Sequence, residues 1–409
     1  MTEPLRSRPD LCPGAIQVHR AADGGLARVR VPGGHLGTGQ WKALAGAATE
    51  LGNGLLELTS RGNVQVRGLP AGAEAELGAR LTEVGLLPSV SHERVRNILA
   101  SPLSGRDGRG LVDVRPLVAE LDRRLCGTPY LSELSGRFLF TLDDGRGDIV
   151  GLRGDAGVIP VTADQVLLPL AGVDHSLCTT LDAAVDGLLA VAAAFLDERA
   201  AQGSTAWRLT DLHDGPRRVL ARLRHPALRW SEPGGEPFPL LTDHPIGVVP
   251  QAEGLAAVAV GAPLGRLTRA QADALAAASR GTLVITPWRG VIVPDVPGAE
   301  APGVLATLSS HGLIVDPASP WLGVTACTGL PGCAKSLADV RADAASTLAG
   351  ATLAGLPVHW VGCGRRCGAP GGEHVEVLAT GDGYRVTAGA HTWSTVDPGD
   401  VIEKARRTA

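Results

Sequence analysis

The sequence predicts an α+β protein in four segments, on three observations. A strand–helix–strand–strand pattern occurs twice. Each copy is followed by a longer segment of mixed strands and helices. Two cysteine pairs stand together in the last of these segments. Length agrees: 409 residues, 44% of them hydrophobic, are enough for two or three cores.

The first copy of the repeat runs from about Cys12 to Leu69 and the second from about His244 to Val296. Each opens on a Pro-Gly-type entry, Cys12-Pro13-Gly14 or His244-Pro245-Ile246-Gly247. A strand follows, Gly25 to Val31 against Gly254 to Val260. A helix comes next, with Thr38 or Thr268 as the expected N-cap, and Gln40 to Leu44 answering Ala270 to Leu275. Two short strands close each copy, Leu55 to Thr59 with Val64 to Val66, and Leu283 to Thr286 with Val291 to Val293. Such a unit cannot bury its sheet alone, so the two copies are expected to pair.

The segment after the first copy carries helices near Asp113–Leu125 and His175–Ala201 and strands near Arg137–Leu142, Asp148–Leu152 and Val158–Val161. The Pro/Gly-rich stretch Ser231-Glu232-Pro233-Gly234-Gly235-Glu236-Pro237 reads as the link into the second half. The expected divisions are 11–70, 71–240, 241–297 and 298–409.

A formal net charge of −4 gives no global footprint of a nucleic-acid binder, so an anionic ligand must be met by a local positive cluster. No signal peptide is expected from Met1 to Leu11, which lacks an apolar stretch. The apolar run Leu181 to Leu196 contains Asp182 and Asp186 and reads as a buried helix rather than a membrane span. Seven cysteines are too few for a disulfide scaffold and fit thiolate chemistry in a reducing, cytoplasmic setting.

Cys327 and Cys333 form C-x5-C, and 29 residues later Cys363 and Cys367 form C-x3-C. Four thiolates are what a [4Fe–4S] cubane asks for, since each iron keeps one terminal sulfur ligand. Zinc is the rival for four cysteines, but its sites favour shorter spacings within each pair. Four buried cysteines without metal is the plain alternative. The first pair is expected just before a helix with an apolar face of Leu337, Val340, Ala344 and Leu348, whose free N–H groups would favour a negative cluster. The second follows a strand, Val358 to Val361, in a turn containing Gly362, Gly364 and Gly368, where backbone N–H groups can approach sulfur. Cys12, Cys126 and Cys178 have no comparable spacing and read as core filler, Cys178 inside the apolar helix.

Three motifs, in order, closely resemble the sulfite/nitrite reductase superfamily: Leu58-Thr59-Ser60-Arg61-Gly62-Asn63-Val64-Gln65-Val66-Arg67-Gly68, the run Val95 to Gly105, and the cysteine pattern. The resemblance spans nearly the whole chain. It implies two ferredoxin-like half-domains forming a parachute over two larger α/β sirohaem-reductase-like domains, with the ligand in the cleft between them. Within the superfamily, the Arg-Asn-Ile-x-x-Ser-Pro-Leu-x-Gly run, the turn Thr286-Pro287-Trp288-Arg289-Gly290 and the segment Arg137 to Gly145 are most similar to the branch that acts on precorrin-3A in aerobic cobalamin biosynthesis. In sirohaem reductases the last segment carries two lysines, where this chain has Arg137 and Leu139. Losing one cation there disfavours reduction of bound sulfite or nitrite.

The branch implies an O2-dependent monooxygenase that hydroxylates C20 of precorrin-3A and closes a γ-lactone. It also allows a mononuclear non-haem iron whose ligands the motifs do not identify. By residue type alone His35, His92, His244 and His359 are eligible, and a structural histidine is the first reading for each. The substrate carries many carboxylates, which arginine forks bind. By resemblance Arg61, Arg67 and Arg96 match macrocycle-binding positions, Arg137 matches less closely, and Arg365 and Arg366 adjoin the cysteines only in sequence. The alternatives are a sirohaem-dependent sulfite or nitrite reductase and a non-catalytic electron-transfer iron–sulfur protein. With no G-x-G-x-x-G after a strand, reducing equivalents are expected from a partner protein, without nucleic acid or membrane.

Overall fold

The two copies of the repeat do more than pair: each lends a strand to the other's sheet. In the computed structural model, which describes residues 10–172, 176–223, 226–231, 244–348 and 355–408, the first copy contributes His19–Ala21, Gly24–Val29, Val64–Leu69 and Leu56–Leu58 in that spatial order. Arg266–Leu267 of the second copy completes this sheet. The second copy contributes Gly247–Pro250, Leu255–Gly261, Gly290–Pro297 and Thr282–Ile285, completed by His35–Gly37 of the first. The exchanges are antiparallel, Leu56 opposite Leu267 and Leu36 opposite Leu283.

Helices Thr38–Leu51 and Arg269–Ala278 pack between these sheets in one shared core that includes Trp41, Leu44, Val64, Val66, Val258, Leu275 and Val291. The Trp41 indole N–H, fully buried, donates to the Ala272 carbonyl at 2.8 Å and so ties the two helices together. Thr268 caps its helix as expected, its hydroxyl accepting from the Gln271 N–H. Thr38 does not: it is the first helical residue, and its hydroxyl bonds Ser279 Oγ at 2.7 Å, while Gln40 takes the Gly37 N–H. The hydroxyl joins the two copies instead of capping the helix.

A six-stranded sheet follows, in the order Arg229–Ser231, Ser176–Thr180, Gln165–Pro169, Ala156–Pro160, Phe140–Leu142, Ile98–Ala100. Helices Arg115–Cys126 and Ala184–Ala201 cover it in a core with Phe138, Phe140 and Phe195. Two expectations fail here. The segment Asp148–Leu152 is not a strand but a loop ending in a 3-10 turn, because the Asp143 carboxylate collects the N–H groups of Gly145, Gly147, Ile149 and Val150. The stretch before Leu181 is not helical: Ser176–Thr180 is a strand paired with Gln165–Pro169, so Cys178 lies on a sheet. Its Thr179 and Thr180 are β-branched and suit that state. His175, and the linker beyond Ser231, lie outside the described residues.

The last segment forms a sheet of Val324–Ala326, Val358–Val361, Val375–Thr380, Gly383–Ala388 and His391–Thr395, with helices Val340–Leu348 and Gly399–Thr408 against it. The first three strands are parallel, which brings the ends of neighbouring strands to the same edge of the sheet. Among the described residues no helix is long and apolar enough to cross a membrane.

Candidate functional site

All four clustered cysteines follow from that parallel edge. Ala326 pairs with Trp360, so Cys327 leaves one strand where its neighbour runs out toward Cys363. The Cys327 N–H bonds the Trp360 carbonyl at 2.9 Å, and the Leu337 N–H bonds the Gly362 carbonyl at 2.8 Å. These two bonds stitch the loops together.

Between them the Gly362 N–H donates to Cys327 Sγ at 3.2 Å. Only glycine allows this approach, since a Cβ at 362 would meet Ser336 Oγ at 1.7 Å. The Cys367 thiol is pushed up by burial; Arg365 opposes this, and the charges of Cys327, Cys363 and Cys333 add to it. The four sulfurs therefore share one locality. Among the described residues no three His, Cys, Asp or Glu side chains converge closely enough to hold a single metal ion.

The expected helix contribution is corrected. The helix begins only at Val340, and Leu337 lies before it, 57% exposed. Val340, Ala344 and Leu348 are buried at helical spacing as expected. The N–H group that reaches sulfur belongs to Gly362.

His359 supports the second pair from below. It is buried, with Nδ1 at 2.7 Å from Thr325 Oγ1 and Nε2 at 3.1 Å from the Cys367 carbonyl. Burial lowers its pKa from 6.5 to about 4, so it is neutral at physiological pH and can donate one ring N–H to that carbonyl. His92 bonds Ser89, Ser91 and the Thr128 carbonyl, and His244 stacks on Trp288.

The arginines divide. Arg61 is half-buried and donates to the Arg137 carbonyl at 3.2 Å, while Arg137 lies over the Trp207 ring at 4.7 Å. Burial, with Arg208 nearby, lowers the Arg61 pKa to about 10, so it stays protonated at neutral pH. Arg67 is held bidentately by Asp23 at 3.0 and 2.9 Å and also reaches the Gly332 carbonyl beside Cys333.

Arg96 stands apart from these. Its guanidinium is buried and saturated by both Asp122 oxygens at 2.7 Å and by the Leu86 carbonyl. Arg365 is exposed, and Arg366 pairs with Glu376.

Sequence reading missed Arg28 and Arg30. They alternate with the buried Ala27, Val29 and Val31, so they face away from the core, and that period of two was the available signal. Cys12 is also corrected: it is no core filler, because Arg28 Nη1 and Arg30 Nη2 approach its sulfur at 3.1 and 3.3 Å.

From Arg28 a hydrogen-bonded row crosses the sheet. Arg28 donates to Gln65 Oε1, Gln65 Nε2 donates to Glu57 Oε2, and Arg341 donates to both Glu57 Oε1 and the Cys327 carbonyl. Glu57 is buried, which resists ionisation, yet Arg341, Arg67 and Arg266 hold it below the usual carboxylate range. The cysteine loops and the arginine-bearing face of the first sheet are thus one connected site.

Residues 19–84 and 249–311 each match the nitrite/sulfite reductase ferredoxin-like half domain, which places a known unit on both copies of the repeat. A ferredoxin–nitrite reductase from Synechococcus elongatus is 30% identical over 392 residues, covering 84% of this chain and 74% of that protein. The chain belongs to the nitrite/sulfite reductase family.

Within that family a precorrin-3B synthase from Sinorhizobium sp is 27% identical over 405 residues, covering 92% of this chain and 82% of that protein. Among solved structures of the family, Mycobacterium tuberculosis NirA superposes with a TM-score of 0.73 at 23% identity, over 93% of this chain and 79% of that one. The α+β architecture with paired half domains is therefore the nitrite/sulfite reductase fold.

Proposed function

We propose that this chain is a precorrin-3B synthase: an iron–sulfur oxidoreductase that uses O2 to hydroxylate precorrin-3A at C20 and close a γ-lactone. The observation that carries this reading over anion reduction is Leu139. It is buried in an apolar group with Leu99, Ile149 and Leu152, so the position where the reductases carry a second lysine offers no cation. The similarity to a precorrin-3B synthase along 92% of the chain supports it.

Cys327, Cys333, Cys363 and Cys367 fit a [4Fe–4S] cluster by donor chemistry: four sulfurs in one locality, one of them already accepting a backbone N–H. When bound, the cluster supplies the single electrons that O2 chemistry on an organic substrate requires. Arg61 and Arg137, joined by Arg28 and Arg30, form the face that receives the carboxylates of the macrocycle, and Arg67 joins it only by exchanging Asp23 for a ligand carboxylate. Arg96 enters that set only by exchanging Asp122 for a ligand carboxylate. A partner protein supplies the electrons. A second, mononuclear iron is compatible with the reaction but has no ligand set assigned.

The second reading is a sirohaem-dependent sulfite or nitrite reductase, favoured by the 30% identity to a nitrite reductase. One preparation separates the two. Protein purified without oxygen, reduced and mixed with precorrin-3A and O2 is expected to yield a product one oxygen atom heavier, with no sirohaem absorption. Sirohaem in the preparation together with sulfite- or nitrite-dependent oxidation of a reduced dye would establish the reductase instead.

A further inference from the structure

Interior arginines of this protein meet an acid or a neutral acceptor: Arg30 is taken by Asn97 Oδ1 and the Gly136 carbonyl, and Arg406 by the Leu356 carbonyl. Arg67 pairs with Asp23, Arg96 with Asp122, Arg146 with Asp144, Arg208 with Asp155 and Arg341 with Glu57. Arg289 breaks the pattern. Its side chain is half-buried, and among the described residues no acid or hydrogen-bond acceptor meets its guanidinium. Burial lowers its pKa, and among the described residues the charge acting on it is another cation, Arg341. On its other side Arg289 acts on His359, the residue that holds the Cys367 carbonyl. An uncompensated cation thus stands between the Glu57–Arg341 pair and the second cysteine loop. A guanidinium half withdrawn from water, with no acid beside it among the described residues, is open to an anion.

The backbone fixes where this side chain stands. Arg289 has φ of 59°, a left-handed conformation that glycine adopts more readily than a long side chain. Room for its stem comes from Gly265, itself at φ 72°, where a Cβ would meet Arg289 Cδ at 2.5 Å. Two positive-φ positions of the second copy, Gly265 and Arg289, therefore combine to hold a guanidinium that meets no acceptor among the described residues.

Resting on the tetrapyrrole reading above, we propose that Arg289 is a carboxylate-binding residue of the same cleft, taking one acid side chain of the macrocycle beside the cysteine loops. It faces the ligand from the second copy of the repeat, as Arg61 does from the first. The fork geometry suits a bidentate carboxylate.

The test uses holoprotein and uroporphyrin III, a stable tetrapyrrole with eight carboxylates, titrated by absorbance against wild type, Arg289→Gly and Arg289→Lys. Arg289→Gly is expected to raise the dissociation constant on the order of tenfold or more. It should also melt at the wild-type temperature or above, because glycine relieves the positive φ. Arg289→Lys keeps the charge without the fork and should fall between. Equal binding by wild type and both variants overturns the assignment alone. So does unchanged binding with a shifted cluster EPR spectrum, which would make Arg289 a counter-ion of the cluster. A wild-type protein that does not bind uroporphyrin III overturns the tetrapyrrole reading itself, and this assignment with it.

Discussion

The Gly362 N–H points at Cys327 Sγ from 3.2 Å, across the seam between two parallel strands and from the other half of the cysteine motif. A hydrogen bond to a ligating sulfur withdraws charge from it and favours the reduced, more negative cluster. The bond depends on a backbone that no side chain could replace.

Gly362→Ala should therefore act on the proposed cluster before the fold. Its Cβ would meet Ser336 Oγ at 1.7 Å, forcing the two loops apart at a cost of about 1–3 kcal/mol. Iron and sulfide per chain are expected to fall, and the remaining cluster should titrate at a lower reduction potential. A variant with full iron content and an unchanged potential would show that the N–H is a bystander.

Glu57 and Arg341 offer a test with opposite signs. Arg341 touches the Cys327 carbonyl and is neutralised by Glu57, with side chains 13% and 5% exposed. Arg341→Met removes a cation and should lower the cluster potential, whereas Glu57→Gln leaves that cation uncompensated and should raise it. Each single change breaks a buried pair and should cost about 3 kcal/mol in denaturant melts. Shifts of the same sign in both variants would exclude a charge effect.

Acid stability should report His35. Burial, with Arg106 and Arg115 beside it and Asp113 opposing, lowers its pKa from 6.5 to about 4, and its Nε2 is shut from water without a partner among the described residues. Above 6.5 the imidazole is neutral in both folded and unfolded chains. As pH falls from 6.5 toward 4 only the unfolded chain takes up the proton, so stability drops, at most about 1.4 kcal/mol per pH unit. Below 4 the slope vanishes. Denaturant midpoints measured across this range should be flatter for His35→Gln than for wild type, and parallel curves would remove His35 from the account.

The joint between the two copies can be probed at Trp41. Trp41→Phe keeps most of the apolar ring but leaves the buried Ala272 carbonyl without its donor. A loss of about 1–3 kcal/mol is expected, seen as an earlier melt of the whole shared core. A separate melt of one copy would mean that the copies fold independently.

Much of the site could be read from residue order, because its signals are local. C-x5-C and C-x3-C, the glycines of the second turn and the duplicated unit each lie within short windows, and the structure keeps Val358–Val361 and the helical spacing of Val340, Ala344 and Leu348. Arg28 and Arg30 were within reach through their alternation with buried neighbours, a local signal that a cationic strand face makes easy to pass over.

Other features had no local signal. Ser176–Thr180 belongs to a sheet because Gln165–Pro169 offers it a partner, and the apolar helix after it hides that boundary. Asp143 turns the next residues into a loop by collecting four N–H groups. Whether an arginine serves a ligand or an internal acid depends on what lies opposite. Arg96 and Arg289 look alike in sequence, but one meets Asp122 and the other meets no acid among the described residues.

By itself, then, the chain determined its family, its paired half domains and the four thiols, since backbone periodicity and ligand spacing are short-range properties. The tertiary structure decided that the copies exchange strands, that Gly362 reaches Cys327, that Glu57 and Arg341 join the cysteine loop to the arginine face, and that Arg289 meets no acid among the described residues. Each of these depends on charges and backbone groups far apart in sequence, which only the packing of the segments brings within hydrogen-bonding range.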